Sequence, residues 1–139
     1  MLNKVTALIT GLSLLVFASW ASNPSSAAAA YPARSSNSAG VRVVVTPKVL
    51  GAGVKVWEFE VSLDTHTKPL DENLAQIAAL VDEAGRRYTA VSWQGDPPGG
   101  HHRKGTLRFN APNTNPSVIE LQIEGIGGSG ARTFRWELK

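Results

Sequence analysis

Histidines are the residues of this chain best suited to chemistry, and there are three of them. His101 and His102 are adjacent in the stretch Trp93–Phe109, WQGDPPGGHHRKGTLRF, behind Pro97, Pro98, Gly99 and Gly100. Proline fixes φ and lacks an amide hydrogen, so the Pro-Pro-Gly-Gly run suits neither helix nor strand and predicts a shaped loop carrying both imidazoles. His66 belongs to a second loop, inside LDTHTKP. Neutral imidazole is a common ligand of zinc and copper, and Asp64 or Asp96 could add a carboxylate oxygen. The candidate metal set is therefore His66, His101, His102 and Asp64, with Cu(II) or Zn(II) the expected ion. The spacing matches no strong pattern such as H-E-x-x-H. The competing expectation is structural: one histidine packs on Trp93 or Tyr88 and donates to loop carbonyls that Pro97 and Pro98 leave unpaired.

Other chemistry is poorly supplied. The chain has no cysteine, which removes thiolate metal sites, catalytic thiols and disulfides together. Asp64 and His66 with Ser62 or Ser92 name the members of a triad, but no G-x-S-x-G elbow accompanies them. The sequence GIGGSG at Gly125–Gly130 lies between two strand-like segments, where a hairpin turn explains it better than a phosphate cradle. No catalytic residue and no enzymatic activity are expected. Trp57, Trp93 and Trp136 fall at strand positions and read as core. Arg86, Arg87, Arg132 and Arg135 read as outward strand faces. The net charge of +3 is scattered among acidic residues, a pattern that does not call for nucleic acid.

The elements that must position these residues begin after a targeting segment. Met1 to about Ala30 has Lys4, an apolar run from Val5 to Trp20 and small residues thereafter, the organisation of a signal peptide. Export to a periplasmic or extracellular compartment follows, with membrane attachment only if that helix stays uncleaved. Tyr31 to Gly40 (YPARSSNSAG) is expected as a flexible lead-in. The remaining stretch, Val41 to Lys139, suffices for one domain.

Within it, period-two patterning predicts seven short strands: 41–46, 54–63, 76–81, 86–93, 106–109, 118–124 and 133–138. A parity change between Val56 and Trp57 suggests a bulge or a change of sheet. Leu70 to Val81 is ambiguous between one helix and a helical turn near Asp71–Leu74 followed by a strand; the second fits the turn signal at Asp82–Gly85. The predicted fold is an all-β, immunoglobulin-like β-sandwich, with an open barrel as the alternative. Successive loops of such a fold alternate between its ends, so the loops holding Asp64 and His66, His101 and His102, and Gly125–Gly130 should share one end.

The segments FEVSLDTH at Phe59–His66, WQGDPPGGHHRKGTLRF at Trp93–Phe109 and FRWEL at Phe134–Leu138 together resemble a family of small exported bacterial and archaeal domains, over nearly all of Val41–Lys139. The resemblance implies an exported β-sandwich; no biochemical activity is attached to that family, and it supplies no ligand or catalytic residue. The expected role is a non-enzymatic binding or accessory domain that holds a metal through its loop histidines. The alternative is a structural or interaction module of the cell envelope contacting a protein or glycan.

Overall fold

The computed structural model describes residues 31–139; the expected signal segment, Met1 to about Ala30, lies outside the described residues. The chain folds as an all-β sandwich of two antiparallel sheets. The strands are β1 (Arg34–Ser38), β2 (Val41–Val49), β3 (Val56–Thr65), β4 (Ala78–Asp82), β5 (Arg87–Thr89), β6 (Ser92–Gly95), β7 (His102–Asn110), β8 (Val118–Ile123) and β9 (Arg132–Glu137). One sheet runs β1-β2-β3-β7-β6 and the other β5-β4-β8-β9.

Alternation accounts for most of this. On β3, Trp57, Phe59, Val61 and Leu63 are buried, while Glu58, Glu60, Ser62 and Asp64 face outward. On β8, Ile119, Leu121 and Ile123 are buried in the same way. These side chains meet Val41, Val43, Val45, Leu107, Phe109, Phe134 and Trp136 in a single core. Phe59 lies at its centre, edge-on to Phe109 at 5.8 Å and tilted against Trp136 at 5.5 Å between ring centroids. Interior aromatic packing of this kind supplies the stability that no disulfide can.

The two-sheet class agrees with the sequence, and several details do not. The expected flexible lead-in is β1, paired in continuous register with β2 from Arg34↔Val45 to Ser38↔Val41. Its Ser-rich composition hides a hairpin turned by Ala39 (φ 49) and Gly40 (φ 72), both left-handed as a two-residue turn requires. The predicted strand 86–93 is two strands on different sheets, β5 and β6, because the chain crosses between sheets at Ala90–Val91. The bulge is in β2, where the register slips between Pro47 and Val49, and not at Val56–Trp57. Leu70 to Val81 resolves into one helical turn, α1 (Leu74–Ile77), followed by β4, each displaced toward the C-terminus from its predicted place. The loop at Gly125–Gly130 contains a 3₁₀ turn, Ile126–Gly128, in place of a simple hairpin.

Candidate functional site

The three loops do share one end of the sandwich. Leu70 N–H donates to Gly100 O and Gly99 N–H to Leu70 O, which laces the loop after β3 to the loop before β7. Gly127 N–H donates to Glu72 Oε1 at 2.9 Å, and Lys68 Nζ donates to Gly127 O at 3.2 Å, which brings in the third loop.

Of the four candidate ligands, only Asp64 and His102 come together. His102 is the first residue of β7 rather than a loop residue, because β3 and β7 pair through to Asp64↔His102. Its Nδ1 lies 2.7 Å from Asp64 Oδ1. An ionised carboxylate only accepts, so Nδ1 carries the proton in that contact and Nε2 faces away from it. Ser62 Oγ donates to Asp64 Oδ2 at 3.3 Å. The hydrogen bond from His102 is the foremost cause that holds the Asp64 carboxyl below its ordinary value; burial opposes it, and Ser62 adds to it. His66 and His101 are exposed and bring no third ligand to the pair. Among the described residues, no group of three His, Asp or Glu side chains is placed to hold a metal ion.

The Asp64–His102 pair has a clear structural context. From Glu58 to Asp64 the outward positions of β3 are acidic or serine, and from His102 to Arg108 those of β7 are basic or threonine; Glu58 and Asp64 face their partners in register and Glu60 meets Lys104 diagonally. Glu58 accepts from Arg108 Nε at 2.8 Å, Glu60 lies 3.4 Å from Lys104 Nζ, and Asp64 meets His102. The pair is the last rung of an ion-pair ladder on the outer sheet face, the β-sheet form of side-chain pairing. His102 and Asp64 are respectively 71% and 44% exposed at the side chain, so this rung adds little to stability.

The loop end is built by two arginines whose burial the sequence did not announce. Arg103 is 2% exposed and Arg132 4%. Arg103 donates to Leu70 O at 3.0 Å and Glu72 O at 2.7 Å through Nη1, and to Asp96 O at 3.4 Å through Nη2. Its Cζ sits 5.6 Å from the centre of the Trp93 ring. The role expected of a histidine, stacking on Trp93 and feeding loop carbonyls, belongs to this arginine. A guanidinium offers five donors in a rigid fork, which an imidazole cannot match. Arg132 is likewise buried and not outward-facing. It donates to Val41 O and Ser38 O at 2.7 Å each, and to Ile126 O at 3.4 Å, tying the β1–β2 hairpin to the loop after β8. Burial pushes both guanidinium groups down from the usual arginine range, and the Glu72 carboxylate pulls each back up. The parity was present in the sequence: Arg103 alternates with Leu107 and Phe109, and Arg132 with Phe134 and Trp136. Charge concealed it.

A separate concavity lies on the flank where β1 and β9 are the edge strands. It is a cleft of about 960 Å³ lined by Tyr31, Arg34, Leu50, Trp136 and the rest of β9 from Thr133 to Glu137, among others. None of Asp64, His66, His101 or His102 borders it. Tyr31 and Pro32 close its lower end, with Trp136 Nε1 donating to Pro32 O at 2.7 Å. On the opposite flank the chain itself crosses from β5 to β6.

Comparison with protein-family models, with curated proteins and with solved structures finds no match to this chain.

Proposed function

We propose that this chain is an exported, non-enzymatic binding or accessory domain that works by contact, and that its contact surface is the cleft between β1 and β9. The observation that carries this is how the polar groups are distributed. At the loop end Arg103, Arg132 and Glu72 hold loops together, with Glu72 Oε2 and Arg103 Nε left buried without a hydrogen-bond partner among the described residues, and Asp64 and His102 bind each other. The cleft, by contrast, combines apolar surface from Tyr31, Pro32 and Leu50 with cationic side chains and a sheet edge. The strand order supports an immunoglobulin-like reading of the sandwich: named A to G from β2 onward and leaving out β5, the sheets read A-B-E-D and C-F-G. Sandwiches of that kind commonly serve as recognition modules, though fold alone does not assign a role.

The test is capture of partners from an envelope extract of the source cells with three baits. Arg34→Glu, on the cleft rim, should lose the partners of the wild-type domain, and the double variant His101→Ala/His102→Ala should keep them. The opposite pattern would overturn the assignment.

One observation favours a second reading, in which His102 is a ligand for Cu(II) or Zn(II). A metal-bound imidazole typically donates its other N–H to a carboxylate, and Asp64 is placed to accept from His102 Nδ1. Among the described residues no second and third ligand stand beside His102, so the remaining ligands of such an ion would come from solvent or from another molecule. Calorimetric titration of each ion should give binding heat that disappears in His102→Gln; heat no greater than buffer eliminates this reading.

A further inference from the structure

We infer that the cleft takes an extended acidic polypeptide segment of another protein, which adds a strand to the free edge of β9. This rests on the contact-module reading above and names the occupant.

The first support is the hydrogen-bond phase of the ladder. In an antiparallel pair, residues bond alternately to one side and the other. Leu138 N–H donates to Ser117 O, so in the continuous register of β8 with β9 residues 132, 134 and 136 bond toward β8. Thr133, Arg135 and Glu137 therefore aim their amide N–H and C=O groups at the free side, and all three line the cleft.

The second support is what this edge lacks. Exposed edges are normally blunted by proline, a bulge, a covering loop or charged side chains, since a bare row of amides recruits other strands, and of these β9 carries charges, Arg132, Arg135 and Glu137. β9 contains no proline, and its register with β8 has no bulge. Its top is held to the β1 hairpin by Arg132, and its bottom is capped at Pro32. Between these points, among the described residues, the edge is bordered by the cleft.

The third support is charge and apolarity. Arg34, Arg135 and Lys139 line the cleft against a single carboxylate, Glu137. Arg135 is partly matched by Glu120 at 3.2 Å, on the neighbouring strand. Phe134 and Trp136 at its back are core residues, 2% and 1% exposed, so the accessible apolar surface of the cleft is that of Tyr31, Pro32 and Leu50. An acidic strand suits this cationic lining, and main-chain pairing supplies affinity while alternate side chains supply selectivity.

The experiment uses the domain with isotope-labelled amides and a capped peptide of alternating glutamate and valine, about six residues long, the length of an average strand. Binding should shift the amide resonances of Thr133, Arg135 and Glu137 and slow their hydrogen exchange. The same peptide with alternate backbone nitrogens methylated should lose binding, as should a lysine–valine peptide. Arg34→Glu should weaken the glutamate peptide by about tenfold, a charge reversal at a rim position. Thr133→Pro removes an N–H that the β8–β9 ladder does not use, so it should keep the thermal transition and abolish binding. Four results overturn the inference: no protection of these amides, equal binding of the lysine peptide, equal binding by Thr133→Pro, or protection that grows with protein concentration without peptide, which would make a second copy the occupant. If Arg34→Glu loses cellular partners while the peptide leaves β9 untouched, strand addition fails and the contact reading stands. If Arg34→Glu keeps those partners, the contact reading itself fails.

Discussion

Replacing Arg132 with methionine tests whether the loop end is held by a guanidinium fork or simply by filled space. Arg132 makes two 2.7 Å bonds to main-chain carbonyls, Val41 O and Ser38 O, from a site that is 4% exposed. Hydrogen bonds from a charged donor contribute about 1.5–3 kcal/mol each, so the gross loss is about 3–6 kcal/mol. Two effects reduce it. Ser38 and Val41 are register partners in the β1–β2 hairpin, so both carbonyls retain a ladder bond, and methionine removes the cost of burying a charge. The expected net loss is about 2–4 kcal/mol, a large part of the roughly 5–15 kcal/mol that stabilises a domain. Urea unfolding followed by tryptophan fluorescence should show the midpoint falling by about 2 M at unchanged slope. The thermal midpoint should fall by about 10–25 °C. Arg132→Lys keeps the charge and volume but cannot fork between two carbonyls, so it should be destabilised comparably. Buried ions replaced by apolar side chains are sometimes neutral or even stabilising. A loss below about 1 kcal/mol in the methionine variant, or full stability in the lysine variant, would refute the fork as the cause.

Two further outcomes follow from the geometry. The lowered Asp64 pKa means that its contribution to stability is present above its unfolded value of 3.8 and is lost as pH falls through the lower folded value. His102→Gln should therefore cost less than about 1 kcal/mol near neutrality, as exposed pairs do, and the gap should close on the acid side of pH 4; a gap constant from neutral to acid pH in urea midpoints would count against the pair. Gly105 faces Gly95 across the β6–β7 ladder, and a Cβ there would lie 2.6 Å from Gln94 O and 2.7 Å from the Trp93 ring. Gly105→Ala should cost about 1–3 kcal/mol by overpacking and shift the Trp93 indole resonance, and stability within about 0.5 kcal/mol of wild type would show that β6 yields freely.

The sequence makes the sheets legible wherever apolar and polar residues alternate without interruption, as in β3, β8 and β9. It also places three loops at one end, since antiparallel succession fixes loop parity. What it obscures has physical reasons. β1 carries Arg-Ser-Ser-Asn-Ser, a composition shared by linkers, and only its partner β2 makes it a strand. The Ala90–Val91 crossing marks the periodicity only as a change of parity, from Tyr88 and Ala90 to Val91 and Trp93, which is hidden because all of 86–93 reads as one strand. Charge misleads most at Arg103 and Arg132, whose alternation with core residues points inward although their type points outward. Histidine draws attention through its chemistry, yet here two of the three histidines stay at the surface without joining a cluster, and the third closes a ladder.

The reach of the Arg132 tie has a kinetic meaning. Its bonds to Val41 and Ser38 span 91 and 94 positions of the chain, nearly the whole described domain. Contacts of such separation close the largest loops and are entropically the most expensive to form early. The first and last strands of the sandwich are thus expected to join after the hairpins and the β3–β7 pairing have formed. An interaction formed on the native side of the folding barrier governs unfolding rather than folding. Such a tie should act as a brake on opening: Arg132→Met is expected to raise the unfolding rate of this disulfide-free domain more than it lowers the folding rate.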